Sequence, residues 1–160
     1  MLAAAILVLV YRGEDPWIPV LDSANLAFHE AGHIVYGIFG DTAQLYGGVL
    51  GQLTFPIVAM GVFFVRREAA GVAVGAIWAA QNLFNIARYM ADARAKELPL
   101  VGGGEHDFEH IFTRWGVLHR DLAIAKDVRV IAWIIIVGTV AWIAWRAVAT
   151  RRSRDAASDA

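Results

Sequence analysis

The residues best suited to chemistry are His29, Glu30 and His33, which form an HExxH sequence inside an otherwise apolar run. Residues four apart lie on one face of a helix, so the two imidazoles could bind one metal ion together. Glu30 would then be placed to act as general base on a water at that metal. The spacing therefore predicts a catalytic metal site on a helix.

The apolar setting of this motif adds weight to that interpretation. Ionisable residues within membrane segments are costly to bury, and they usually have a function. Gly32, inside the motif, would leave room beside the metal for a substrate backbone. The alternative is a buried His/Glu network that is satisfied by other polar groups and holds no metal.

A third protein ligand must come from elsewhere, because catalytic zinc has three protein ligands and one open position. The chain has no cysteine, so His, Asp or Glu must supply it. Three glycines at 102–104 precede His106 and Asp107 and would let the backbone bend into a site. Asp107 could instead be the N-cap of a helix over 108–118. The residues themselves leave His106 and Asp107 nearly equal as ligands, with Asp92 as a further candidate.

Further polar residues interrupt the apolar segments. Gln52 follows a glycine-rich stretch, 47–51, that would allow a neighbouring helix to approach closely. Asn82 and Asn85 lie on a later segment with the spacing of one helix face, which continues to Asp92. We expect the face with Asn82 and Asn85 to line the same cavity, where it would hold a substrate backbone or orient a ligating histidine. For Gln52 we expect a place in the lining of the site and in holding the substrate, with ordinary helix packing as the alternative.

Composition indicates a small membrane protein. Of the 160 residues, 58% are hydrophobic and 18% charged, and the mean hydropathy is +0.51. An ordinary soluble domain is less apolar than this. With 14 basic and 15 acidic residues, the chain also lacks the positive charge of a nucleic-acid-binding protein.

The distribution of apolar residues predicts an all-α, polytopic membrane helix bundle with four to five transmembrane helices. Crossing the hydrocarbon takes roughly 20 residues, and a polar stretch over 92–127 separates the last two segments. We predict one membrane domain over 1–150 and a flexible tail over 151–160. The predicted segments are a short first helix over 1–11 and four further helices over about 24–40, 45–65, 69–91 and 128–149.

Basic residues suggest the orientation of the chain. Arg66 and Arg67 end one apolar segment, and Arg151, Arg152 and Arg154 follow the last one. The positive-inside rule places both groups in the cytoplasm. This agrees with the two segments that separate them, and it puts the 92–127 stretch on the other side. We expect an integral protein of the cell membrane, the inner membrane in a bacterium.

The chain resembles the site-2-protease-like intramembrane metallopeptidases, the M50 group, and particularly its compact M50B-like branch. Three pieces carry the likeness: the HEAGH helix at 28–34, the Gly-Gly-x-x-Gly-Gln segment at 47–52, and Glu105-His-Asp107 with the amphipathic stretch after it. The resemblance implies zinc bound by His29 and His33, Glu30 as the base, and a late aspartate as third ligand, which favours Asp107.

We therefore expect a zinc metallopeptidase that cleaves a membrane protein or peptide within or near the lipid bilayer, with no nucleic-acid partner. An alternative is a non-catalytic membrane protein that binds metal or a partner, which a closed site with both His106 and Asp107 as ligands would indicate. A weaker alternative is a small transporter that uses the buried His, Glu and Asp residues as an ion relay.

Overall fold

The computed structural model describes residues 18–101 and 105–158, so the predicted first helix lies outside the described residues. The described residues contain five α-helices and one short 3-10 helix, and no strand. The all-α prediction is therefore confirmed. The helices are α1 (Pro19–Gly37), α2 (Asp41–Val65), α3 (Ala69–Ala91), α4 (Asp107–Arg114) and α5 (Asp121–Ser158), with the 3-10 turn Leu118–Arg120 directly before α5.

Three stretches in these helices have the length and apolarity needed to cross a membrane: Asp41–Val65, Ala69–Ala91 and Leu118–Ser153. Their mean hydropathies are 1.9, 1.3 and 2.0, respectively. A membrane provides no water for exposed backbone groups, and a helix satisfies these groups internally. The prediction of a polytopic, all-helical membrane protein is confirmed. Against the four to five spans predicted, the described residues contain three such helices, and α1, which carries HEAGH and several other polar residues, is not among them.

The last helix is longer than predicted. It begins at Asp121 instead of about 128, and it continues to Ser158 instead of ending near 149. At this early start the Asp121 carboxylate accepts the backbone N–H of Leu122 at 2.7 Å. The same carboxylate pairs with Arg94 at 2.7 Å. The carboxylate at the first residue of α5 is thus held by the backbone N–H of the next residue and by Arg94.

The chain divides into two compact units, residues 1–53 and 54–160. In the first unit, α1 and the beginning of α2 approach each other backbone to backbone. A Cβ atom added to Gly32 would lie 2.1 Å from the carbonyl oxygen of Gly47, and one added to Gly51 would lie 2.4 Å from that of Phe28. Only glycine permits this approach, as the glycine-rich stretch predicted.

In the second unit, α3 packs along α5. Phe84 and Trp133 meet edge to face with their ring centroids 5.4 Å apart. Both helices bury alanines that are wholly inaccessible, among them Ala87 and Ala132. Small residues at such positions allow close helix packing where no hydrophobic effect operates between helices.

Candidate metal centre

The HEAGH sequence lies within helix α1, as predicted. The buried residues of this helix are Asp22, Asn25, His29 and Gly32, whose spacing of three and four residues defines one face. The rings of His29 and His33 meet edge to face, with centroids 4.9 Å apart. The helix therefore brings the two imidazoles side by side.

An oxygen atom faces the Nδ1 atom of each imidazole. For His29 it is Oε1 of Gln52, at 3.4 Å. For His33 it is the backbone carbonyl of Gln44, at 2.8 Å. An oxygen acceptor at Nδ1 favours the tautomer with its proton there, which leaves the electron pair on Nε2. Ligating histidines in metal sites are held in this way by their other nitrogen.

Gly48 lies directly beside both Nε2 atoms. A Cβ atom at this position would come within 2.4 Å of Nε2 of His29 and within 2.7 Å of Nε2 of His33. The two nitrogens therefore converge on one place, and that place is compatible only with glycine. A pair of imidazoles with convergent Nε2 atoms fits a zinc ion, whose usual bond to histidine is about 2.0–2.1 Å long.

The structure gives Gln52 a contact that differs from its predicted role. We predicted it as a substrate-binding residue, but its side chain is 6% exposed and faces His29. This contact suits a residue that orients the histidine, a role not predicted for Gln52, and its binding of a substrate stays a prediction. Glu30 lies on α1 and is half-buried, next in sequence to the His29 ligand it would serve.

In the second unit, His106 and Asp107 lie at the start of α4, and here one expectation is corrected. The N-cap residue is His106, with an extended backbone, while Asp107 is the first residue of the helix. His106 takes this place because its Nδ1 atom accepts the backbone N–H of Glu109, at 3.4 Å. The backbone N–H of Asp107 donates to the hydroxyl of Tyr89, at 3.1 Å.

The His106 ring is almost wholly buried, with 1% of the residue exposed. It stacks on Tyr89 with a centroid separation of 4.1 Å, and its Nε2 atom lies 3.4 Å from Oδ2 of Asp92. Burial lowers the pKa of His106, outweighing the opposite effect of the Asp92 and Asp107 carboxylates. Burial thus favours the neutral form of the ring. Its Nδ1 atom accepts the Glu109 N–H, and its buried Nε2 atom makes no hydrogen bond with the residues described, although the Asp92 carboxylate lies nearby.

Asp92 uses both of its oxygens on the backbone that follows α3. Oδ1 accepts the N–H of Glu97 at 2.8 Å, and Oδ2 accepts the N–H of Leu98 at 3.1 Å. Asp92 is one of the candidates for a third metal ligand, and its carboxylate shapes the turn after the helix.

The polar residues of α3 are buried, as their predicted helix face requires. Asn82 is inaccessible, and its amide nitrogen donates to the carbonyl of Trp78 at 3.0 Å. Its Oδ1 atom is also buried and receives no hydrogen bond from the residues described. Asn85, one turn further along, is half-buried. Their binding of a substrate remains a prediction.

Within the first unit, the structure thus brings His29, His33 and Gln52 together. Within the second, it brings Asp92 and His106 together, and Asp107 follows His106 in the chain. Our sequence interpretation missed the contact of Gly48 with both imidazoles and the stacking of Tyr89 on His106. The glycine pattern was visible and predicted either helix packing or a place in the lining of the site, but not a contact with the two imidazoles. No family model, curated protein or solved structure matches the chain.

Proposed function

We propose that this chain is an integral membrane zinc metallopeptidase, which hydrolyses peptide bonds within or near the bilayer. The observation that carries the proposal is the convergence of two Nε2 atoms beside Gly48, with an oxygen at each Nδ1. Two histidines four residues apart on one helix, followed and preceded by apolar residues, are the first half of a zinc site.

Asp107 is our proposed third ligand. A carboxylate is an ordinary partner of two histidines on zinc, and three such ligands leave the open position that catalysis needs. The resemblance described above also favours this residue. His106 is less suitable, because its ring nitrogens face the Glu109 amide and the Asp92 carboxylate. Asp92 is less suitable because its oxygens accept two backbone N–H groups.

The chemistry follows from the residue types. A bound zinc ion would polarise the scissile carbonyl and lower the pKa of a water molecule. Glu30 would take a proton from that water and pass it to the departing amine. A substrate helix must unwind before its carbonyl can be attacked, and the exposed backbone N–H groups then need acceptors. The buried Oδ1 of Asn82, unpaired among the residues described, is a suitable acceptor, with Asn85 beside it on α3.

The membrane setting defines the substrate class that we propose. With three helices apolar enough to cross a bilayer, the protein would meet its substrates as membrane proteins or membrane-bound peptides. We propose the cell membrane of a bacterium as its location.

Zinc content of the purified protein tests this proposal. We expect one zinc ion per wild-type chain, and loss of that ion in His29→Ala, His33→Ala and Asp107→Ala. The control is His110→Ala, because His110 is 44% exposed and pairs with Glu105 at 2.7 Å, so this variant should keep its zinc. A wild-type protein without zinc would refute the proposal, and zinc binding unchanged in Asp107→Ala would refute its third ligand.

A further inference from the structure

The carboxylate of Asp92 contacts both ends of the loop that joins α3 to α4. Asp92, at the end of α3, accepts the N–H groups of Glu97 and Leu98 at the outgoing side of the loop. At the returning side, Nε2 of His106 lies 3.4 Å from Oδ2 of the same carboxylate. Both ends of the loop therefore meet at Asp92, which is itself 7% exposed.

Tyr89, three residues earlier on α3, holds the returning side a second time. Its ring stacks on His106 at 4.1 Å, with an interplanar angle of 30°. It also meets Phe108 edge to face, at 5.4 Å. Its hydroxyl accepts the backbone N–H of Asp107, at 3.1 Å. Tyr89 thus contacts three consecutive residues, with Asp107 in the middle.

His106 connects these contacts to the helix that follows. Its Nδ1 atom accepts the N–H of Glu109 and so caps the start of α4. The same ring stacks on Tyr89, and its Nε2 atom lies near the Asp92 carboxylate. The backbone on both sides of Asp107 is consequently fixed by groups from α3. The start of this eight-residue helix needs only a hydrogen-bond acceptor for its first free backbone N–H groups, which an exposed Ser or Asp at the N-cap would supply. The contacts around His106 are more numerous than that.

We propose that Tyr89, Asp92 and His106 form a clasp that positions Asp107 as a zinc ligand. This inference rests on the proposed function. Glycines before a ligand residue allow its backbone many conformations, and ordering them when the ion binds costs conformational entropy. If folding already fixes the backbone of Asp107, ion binding does not carry this cost, and the zinc affinity is higher. The three residues are positioning residues, which act on the metal only through Asp107.

Three substitutions separate this role from simple stabilisation of the fold. Tyr89→Phe keeps the stacked ring and removes the acceptor of the Asp107 N–H. His106→Asn keeps a good N-cap and removes the ring that faces Asp92. Lys96→Ala is the matched control, because it breaks the ion pair of Lys96 with Glu109, at 2.5 Å, in the same loop and helix without touching the clasp.

The experiment measures zinc affinity by competition with a chromophoric chelator in detergent, and thermal unfolding of the zinc-free proteins in parallel. We expect Tyr89→Phe and His106→Asn to bind zinc about 10-fold to 100-fold more weakly than wild type, the usual loss for groups that hold a ligand. Their zinc-free unfolding midpoints should fall no further than that of Lys96→Ala, which should keep wild-type zinc affinity.

Two results would contradict the proposed role of the clasp without contradicting the proposed zinc site. One is wild-type zinc affinity in Tyr89→Phe, provided that the wild type binds zinc through His29 and His33. The other is an equal loss of affinity in Lys96→Ala, which would show a general effect of stability. A wild-type protein that binds no zinc would overturn the clasp and the proposed function together.

Discussion

At the scale of single residues, Gly48 determines whether His29 and His33 can share an ion. A glycine inside a helix costs about 1 kcal/mol relative to alanine, so its presence in α2 carries a cost in stability. The space that a Cβ atom would occupy lies within 2.7 Å of both Nε2 atoms. A glycine retained at this cost is consistent with a site that needs the space for a ligand.

We predict that Gly48→Ala lowers zinc affinity by about 100-fold or more, the upper range for residues that support metal ligands, because its methyl group displaces both imidazoles. The control is Gly61→Ala in the same helix, where an added Cβ meets nothing within 4 Å. That variant should bind zinc as the wild type does. Chelator competition measures both, and unchanged affinity in Gly48→Ala would contradict the convergent geometry.

Gln52 provides a second prediction at this scale. Its Oε1 atom faces Nδ1 of His29, so Gln52→Ala should weaken zinc binding by about 10-fold. Gln52→Glu keeps an oxygen acceptor in the same place and should recover most of the affinity. If both variants lose affinity equally, the side chain does not act by accepting the histidine proton.

At the scale of helices, small residues set the distances that bring the functional groups together. Backbone contact between α1 and α2 in the first unit depends on Gly32, Gly47 and Gly51. In the second unit, buried alanines on α3 and α5 serve the same purpose. Packing at this density tolerates little added volume.

We therefore predict that Ala132→Leu destabilises the protein by about 1–3 kcal/mol, as expected for an enlarged side chain in a packed interior. Ala132 is wholly buried, whereas Ala144 on the same helix is exposed. Ala144→Leu should change stability by less than about 0.5 kcal/mol. Equilibrium unfolding in mixed micelles measures the difference, and equal effects of the two substitutions would argue against close packing of α5 at Ala132.

The helices show how far sequence alone could predict this structure. The bounds of α3 were predicted well, because Arg66, Arg67 and Glu68 precede its apolar run and charged residues follow it. The start of α5 was not, because Asp121, Lys126 and Asp127 make its first two turns resemble a loop in sequence. Asp121 there pairs with Arg94, 27 residues earlier. A periodicity argument does not include such a contact.

The candidate site divides in the same way. The spacing of HEAGH was enough to predict two imidazoles on one helix face. The sequence could not decide whether His106 or Asp107 is the better candidate for the third metal ligand. That decision depends on whether the His106 ring already contacts other side chains. Those contacts come from Tyr89 and Asp92 on α3, which are distant in sequence from His106.

At the scale of the whole molecule, the three apolar helices of the described residues predict an orientation. Arg66 and Arg67 lie between α2 and α3, and Arg151 and Arg152 lie near the end of α5. The positive-inside rule places all four in the cytoplasm. The loop between α3 and α4 then lies on the opposite side.

The absence of cysteine makes this orientation directly testable with single-cysteine variants. In intact cells, a membrane-impermeant maleimide should label Lys96→Cys. It should label Glu68→Cys and Ser153→Cys only after the membrane is permeabilised. Labelling of Glu68→Cys in intact cells, with protection of Lys96→Cys, would show the reverse orientation.

A substitution of Glu30 tests the central claim most directly, because we propose that this residue acts as the general base at the metal site. The measurement is the cleavage rate of a single-span membrane peptide by zinc-loaded protein in liposomes, for the wild type and for Glu30→Gln. The account predicts that the wild type cleaves the peptide, whereas Glu30→Gln keeps its zinc and cleaves about 100-fold to 10,000-fold more slowly, the usual contribution of a general base. Equal cleavage rates for the two zinc-loaded proteins would contradict it.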